Sequence, residues 1–239
     1  MLVFSKARVG YISPSVFELV PYYFYRIVPE GVGLVGVTCM IGGWERKEFD
    51  KGLAAVDEAA KELARRGVDF ILHGGGPLVA SRGPGFDKEL EARITGITNL
   101  PCGTGLGSAI RAYKRLGITR AALVTPFPDE VNENFVACLN KEGIEIASLV
   151  SMKIEFKKLA STPLSTLQEG VQQAAREKSA EAIHVPCPQW PILSIAGPLE
   201  ERIGKPILTS TGTMLWDALS HLGVTGVSRS YGQLLSQLN

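Results

Sequence analysis

The chain has 239 residues, enough for one large domain or two small ones with a sizeable core. Its 25 basic and 24 acidic residues give a formal net charge of +1 without a long single-sign block, which excludes the footprint of a nucleic-acid or anionic-membrane binder. No apolar run approaches the ~20 residues that span a bilayer, and the segment Met1 to Lys6 lacks the apolar stretch of a signal peptide, so a cytoplasmic protein with a small-molecule partner is expected.

Short apolar runs alternate with helix-period stretches, the pattern of βα units wound around parallel sheets. Strands are predicted at Val9 to Ile12, Gly33 to Val37 and Phe70 to Leu72, with Leu53, Val56, Ala60 and Leu63 on one helical face between the second and third. A fourth unit runs from Pro101 to Thr104 into a helix through Ala109, Ala112 and Leu116. The chain then repeats itself. Arg8 to Pro14 returns 112 residues later as Arg120 to Pro126, and Glu30-Gly31-Val32 returns as Glu142-Gly143-Ile144. Counterpart strands fall at Leu123 to Thr125, Ile146 to Val150 and Ala182 to Val185, and Leu164, Leu167, Val171 and Ala174 repeat the helical spacing. The last unit is Pro206 to Ser210 and a helix through Leu215, Ala218 and Leu222. Matching Leu116 to Thr119 with Leu222 to Thr225 gives an offset of 106, so the first copy is expected to carry six extra residues around Gly75.

The duplication predicts an α/β fold of two pseudo-symmetric lobes, residues 1–117 plus 213–239 and residues 118–212, each a parallel sheet flanked by helices. In open parallel sheets, ligands bind beyond the carboxyl ends of the strands. The loops Ser13-Pro14-Ser15, Gly74-Gly75-Gly76, Thr125-Pro126-Phe127, Pro186-Cys187-Pro188 and Thr209-Ser210 should therefore converge on one cleft, with the substrate between Gly75 and Cys187.

Cys187 stands where the other copy has Gly75, fixed between two prolines. A thiol with an ordinary pKa of ~8.5 is mostly protonated at neutral pH and serves as an acid, while its thiolate is a base or nucleophile. Cys39, Cys102 and Cys138 read as buried apolar residues, and no Cys-x-x-Cys pair or His spacing signals a metal site or a disulfide framework. The glycines 74–76 allow close backbone approach to a carboxylate or developing oxyanion. His73, His184 and His221 read as structural. No Gly-x-Ser-x-Gly elbow occurs, and Gly103 to Gly107 lacks both the P-loop lysine and dinucleotide spacing. Phe17, Trp44, Phe49, Phe127 and Trp190 lie near strand-end loops with few basic residues, which favours an acid with an apolar substituent.

With these residues the chain resembles the aspartate/glutamate/hydantoin racemase superfamily, and within it the arylmalonate decarboxylase and maleate cis-trans isomerase branch. The resemblance covers nearly the full length and is most specific at Leu100-Pro101-Cys102, Leu116-Gly117-Ile118, Thr125 to Glu133, and Cys187 followed by Pro206 to Asp217. It implies one cysteine in each lobe for racemases and maleate isomerases, and a first-lobe glycine with a lone second-lobe cysteine for arylmalonate decarboxylases. Gly75 with Cys187 is similar to the latter. The resemblance then implies cofactor-free loss of one carboxylate from a 2-substituted malonate, an enediolate held by hydrogen-bond donors, and protonation by Cys187 on one face. Where it places a Thr-Ser pair and two tyrosines around the oxyanion, this chain reads Gly76, Pro77, Phe49 and Phe127, and Pro188 follows the cysteine without an N–H. Candidate replacements are the N–H groups of Gly75, Gly76 and Cys187 and the hydroxyls of Ser13, Ser15, Thr125, Thr209 and Ser210.

Three readings follow: a cofactor-independent carboxy-lyase; an isomerase or racemase pairing Cys187 with a non-thiol partner such as His73 or an activated water; and a non-catalytic binder of a small acid. Related folds often dimerise, so a homo-oligomer stays open.

Overall fold

The computed structural model describes residues 5–15, 19–227 and 229–239, and the predicted Phe17 lies outside them. The first half runs β1 (Ala7–Ser13), α1 (Val20–Ile27), β2 (Val32–Thr38), α2 (Arg46–Ala54), α3 (Val56–Arg65), β3 (Phe70–His73), α4 (Gly76–Ala80), α5 (Phe86–Thr98), β4 (Cys102–Thr104) and α6 (Gly105–Leu116). The second runs β5 (Arg120–Thr125), α7 (Asp129–Lys141), β6 (Glu145–Ser151), α8 (Leu164–Ala175), β7 (Ala182–Val185), α9 (Ala196–Ile203), β8 (Ile207–Thr209), α10 (Ser210–His221) and α11 (Gln233–Ser236). Short 3-10 turns occupy Phe156–Ser161, Pro191–Ile195 and Arg229–Tyr231.

The strands form two parallel four-stranded sheets of the same order, β2-β1-β3-β4 and β6-β5-β7-β8. The central strands are buried on both faces, which is why they read as continuous apolar runs rather than alternating ones. α3 lays Val56, Ala60 and Leu63 on β1 and β2, and α8 lays Leu167, Val171 and Ala174 on β5 and β6. The predicted stripe is not one helix in the first copy: Leu53 belongs to α2, and a turn at Ala55 separates it from α3. Leu164, at the first residue of α8, is 36% exposed.

The offset between copies is 112 at β3 and β7 but 105 at β4 and β8, so the first copy is seven residues longer, not six. Those residues lengthen the region of α5, which has 13 residues against 8 in α9, rather than the Gly75 loop. Thr104 and Thr209 cap the following helices identically, each hydroxyl oxygen accepting an N–H at 3.0 Å, from Gly107 and Gly212. α6 and α10 both have 12 residues, but Leu222 holds the cap position that Gly117 fills after α6 and the left-handed glycine follows one residue later at Gly223, which explains the offset of 106 read from the helix ends.

One continuous core joins the halves. Ala121, Leu123, Ala182 and Leu208 on the inner face of the second sheet belong to the same apolar body as Tyr11, Phe24, Phe70 and Tyr113, while Ala122, Val124, Ile183 and Val185 build a separate outer layer under α8. α10 packs on α6 and also touches β3, β4 and β8.

The Gly103 to Gly107 run serves this junction. Arg111 on α6 donates to Asp217 on α10 at 2.7 and 2.8 Å and to Glu91 on α5 at 3.0 Å through two nitrogens. A Cβ on Gly103 would stand 2.6 Å from an Asp217 oxygen, and one on Gly107 2.3 Å from a Glu91 oxygen. These glycines make room for an ion-pair network. Among the described residues no helix is long and apolar enough to cross a membrane.

Candidate active site

β1, β3 and β7 end at one small cavity of about 40 Å³. Its wall includes Pro14 and Ser15 after β1, Gly75 after β3, Phe127 after β5, and Pro186 to Gln189 after β7. Carrying the offset of 112 past the strand ends pairs Ser15 with Phe127, Gly75 with Cys187 and Pro77 with Gln189, and all six residues line the cavity. Each pair supplies one polar and one apolar or hydrogen side chain.

The local chain geometry fixes these positions. Pro188 takes the second place of a tight turn closed by the Trp190 N–H on the Cys187 carbonyl at 3.3 Å, the place for which proline's fixed φ is suited. The Pro188 carbonyl accepts from the Leu19 N–H of the other half at 3.3 Å. Cys187 is thereby held at the strand end with its side chain 3% exposed. Opposite, Gly75 has φ +74°, and a Cβ there would stand 2.9 Å from the ring of Pro14. Pro14 has little freedom to retreat, since its carbonyl accepts from the Ile41 N–H at 2.7 Å and Ser13 Oγ donates to the Ser15 carbonyl at 2.5 Å. The first-half position therefore favours glycine on both conformational and steric grounds.

Of the residues expected at the site, Pro14, Ser15, Gly75, Phe127, Cys187 and Pro188 come together around the cavity. Ser13, Gly74, Gly76, Thr125, Thr209 and Ser210 do not line it. Their polar groups serve the scaffold instead. Ser13 closes its own turn, the Gly74 N–H donates to the Ile12 carbonyl at 2.9 Å, and Thr125 Oγ1 donates to Asn132 Oδ1 at 2.7 Å. Thr209 caps α10, Ser210 starts that helix with its carbonyl accepting from Thr213 Oγ1, and Gly76 packs its Cα against Phe135 and the start of α6. A strand-end hydroxyl serves a cap or turn as readily as a ligand, which is why sequence placed these four hydroxyls in the cleft.

His73 is not on the cavity wall either. It is fully buried, and burial lowers its pKa to about 4. His184 lies beside the rings of Tyr113 and Phe135, and burial lowers it to about 3. The structure therefore does not bring His73 to Cys187 at the cavity, contrary to the partner expected for an isomerase. Cys39, Cys102 and Cys138 lie off the cavity, and burial raises all three thiols, Cys138 to about 11. Among the described residues no cluster of three or more His, Cys, Asp or Glu could hold a metal.

The rest of the wall comes from Pro77 and Leu78 on α4 and from the segments after β2 and β6, where the sequence pointed only to Trp44 and Phe49. Ile41, Trp44 and Phe49 follow β2, while Phe156 and Leu159 follow β6. Trp44 bridges the halves: its ring meets Phe127 at 5.2 Å and Phe156 at 4.8 Å edge-to-face, and its Nε1–H donates to the Ile154 carbonyl at 3.2 Å. Trp190, also expected nearby, turns away and donates to Thr162 Oγ1. Gln189 was missed although it is the one long polar side chain between Pro186 and Pro191, in a strand-end loop.

Known proteins share this architecture. A maleate isomerase of Pseudomonas putida, crystallised with maleate, has a TM-score of 0.90 at 24% identity over 96% of this chain and 97% of its own. A crystal structure of arylmalonate decarboxylase gives 0.85 at 25% identity over 96% and 99%. By sequence, the maleate isomerase of Geobacillus stearothermophilus is 22% identical over 197 residues, 80% of this chain and 78% of its own. The arylmalonate decarboxylase of Bordetella bronchiseptica is 27% identical over 242 residues, 98% of both chains. The arylmalonate decarboxylase family model matches residues 9–235, and the chain belongs to that family.

Proposed function

We propose that the protein is a cofactor-independent carboxy-lyase for 2-substituted malonate-type acids, with Cys187 as the proton donor. The observation that carries this reading is the unequal pair at the cavity, one thiol facing a position whose backbone favours glycine. One thiol delivers a proton to one face, whereas thiol-to-thiol racemisation needs two.

The chemistry balances on these groups. The bond to the leaving carboxylate breaks, carbon dioxide departs, and the electron pair delocalises into the retained carboxylate as an enediolate. Cys187 then gives its proton to the α-carbon, and the resulting thiolate is reprotonated from solvent. The apolar wall of Ile41, Trp44, Leu78, Phe127 and Leu159 supports the first step. A compact carboxylate loses more by desolvation there than the delocalised transition state does, so donors aimed at the retained carboxylate act differentially.

The test is NMR in D2O with 2-substituted malonates, maleate and chiral 2-aryl acids, for the parent and Cys187→Ala. Carbon dioxide loss with one deuterium placed stereospecifically, slowed about 10²–10⁴-fold in the variant, is the expected result. Isomerisation or α-exchange without carbon dioxide loss would replace the lyase reading with an isomerase, and saturable binding without turnover would replace it with a binding protein.

A further inference from the structure

Among the described residues neither Lys nor Arg lines the inner chamber, so an acid there would be held without a cation from its wall. Besides Cys187, the polar side chains on its wall among the described residues are Ser15 and Gln189, because the Trp44 indole N–H is already donated to the Ile154 carbonyl. An acid bound there needs neutral donors. Ser15 and Gln189 meet across the cleft, Gln189 Nε2 donating to Ser15 Oγ at 2.8 Å over 174 residues of sequence. Both side chains are buried, at 4% and 6% exposure. The second N–H of the Gln189 amide and its carbonyl oxygen make no hydrogen bond among the described residues. Turning the amide over would present both N–H groups instead of one, so a donor is left in either orientation.

The position adds a second observation. An outer chamber of about 490 Å³ opens beside the inner one, and Ser15, Ile41, Phe156 and Gln189 line both. The Ser15–Gln189 pair therefore stands on the wall that the outer chamber shares with the inner one, which Cys187 also lines. The turn that seats Cys187 also seats Gln189, two residues on.

We propose that Gln189, oriented by Ser15, is the hydrogen-bond donor that receives the retained carboxylate as it becomes an enediolate. It replaces, from the opposite half, the donors that are absent at Gly76, Pro77, Phe49, Phe127 and Pro188. Gln189 is a catalytic residue in this assignment because it touches substrate, and Ser15 is a positioning residue. The turnover part rests on the lyase reading; the carboxylate-binding part does not.

The experiment uses the full chain with phenylmalonate for turnover and phenylacetate, which carries only the retained carboxylate, as the binding probe. Gln189→Leu is expected to lower kcat about 10²-fold, as loss of one oxyanion donor does, with a smaller rise in KM and about 10-fold weaker phenylacetate binding. Gln189→Glu keeps the size, so it carries the test if Gln189→Leu does not fold. Its new carboxyl donates only when protonated, so activity and phenylacetate binding relative to the parent should recover as pH falls below about 5. Ser15→Ala should lower kcat more than it raises KM, and Ser15→Thr should restore it. Folded Gln189 variants that keep kcat and phenylacetate affinity within threefold of the parent at every pH would overturn the proposal. A parent that binds phenylacetate but decarboxylates nothing refutes the lyase reading alone, with binding still deciding Gln189, and a parent that does neither overturns both.

Discussion

Gly75→Ala probes the reason the two halves differ at their centre. Gly75 sits at φ +74°, ψ +58°, a left-handed conformation that costs an L-residue about 1–2 kcal/mol. The added methyl would also stand 2.9 and 3.2 Å from Pro14 Cγ and Cβ and 3.5 Å from Leu78 Cβ. The Pro14 ring is pinned by the Ile41 N–H and the Ser13 to Ser15 turn, so relief requires a loop shift with an overpacking cost of about 1–3 kcal/mol. The two effects together predict a loss of about 2–5 kcal/mol. Gly117→Ala is the control, because Gly117 has φ +68° and nothing within 4 Å of a new Cβ, so it isolates the conformational part. Urea unfolding of both variants should show Gly75→Ala at least ~1 kcal/mol less stable than Gly117→Ala. Equal losses would mean that Pro14 yields freely and that steric exclusion does not explain the missing thiol.

Trp44→Ala removes two edge-to-face contacts and the hydrogen bond to Ile154 that bridge the halves, so it should cost about 3–5 kcal/mol in urea unfolding and raise KM by opening the cavity. Asp217→Ala leaves Arg111 with Glu91 alone and deprives Ser108 Oγ of its acceptor, and the expected loss is about 2–3 kcal/mol by the same assay. The double variant with Glu91→Ala should depart from additivity by more than 0.5 kcal/mol, the size found for residues in one network. Burial holds His73 at about 4 and His184 at about 3, below the ordinary 6.5, so the unfolded chain takes up these protons first. Stability is therefore unaffected well above pH 6.5 and falls as pH drops below it, by up to ~1.4 kcal/mol per pH unit for each histidine. Urea midpoints between pH 6.5 and 5, where ordinary carboxylates remain ionised, should fall with pH, and His184→Leu should roughly halve the slope.

The order of the elements was legible because strands buried on both faces leave uninterrupted apolar runs, and because Arg8 to Pro14 and Arg120 to Pro126 end equivalent strands. α5 escaped notice as the extra segment because repeat matching sees an insertion only as a change of offset, and the turn at Gly117 and Leu222 had changed the offset again. The centre of the cavity was legible for a related reason: a strand end fixes the next residue or two, so Pro14, Ser15, Gly75, Phe127, Cys187 and Pro188 could be placed by counting. Farther from the strand ends counting fails. Trp44 and Phe156 meet because two loops of unequal form, one entering α2 and the other a 3-10 turn, fold over the same opening. Hydroxyls mislead nearest the strands, where caps and turns compete for them, as Thr125 and Thr209 show. Gln189 was within reach of the repeat itself. Its counterpart is Pro77, just as Phe127 answers Ser15 and Gly75 answers Cys187, so each of the three pairs with both members on the cavity wall keeps one polar side chain. A duplicated cleft begins with equivalent groups on both sides of its ligand. The three pairs that line the cavity from both halves thus hold one thiol and one Ser15–Gln189 pair, the asymmetry that the proposed one-sided protonation requires.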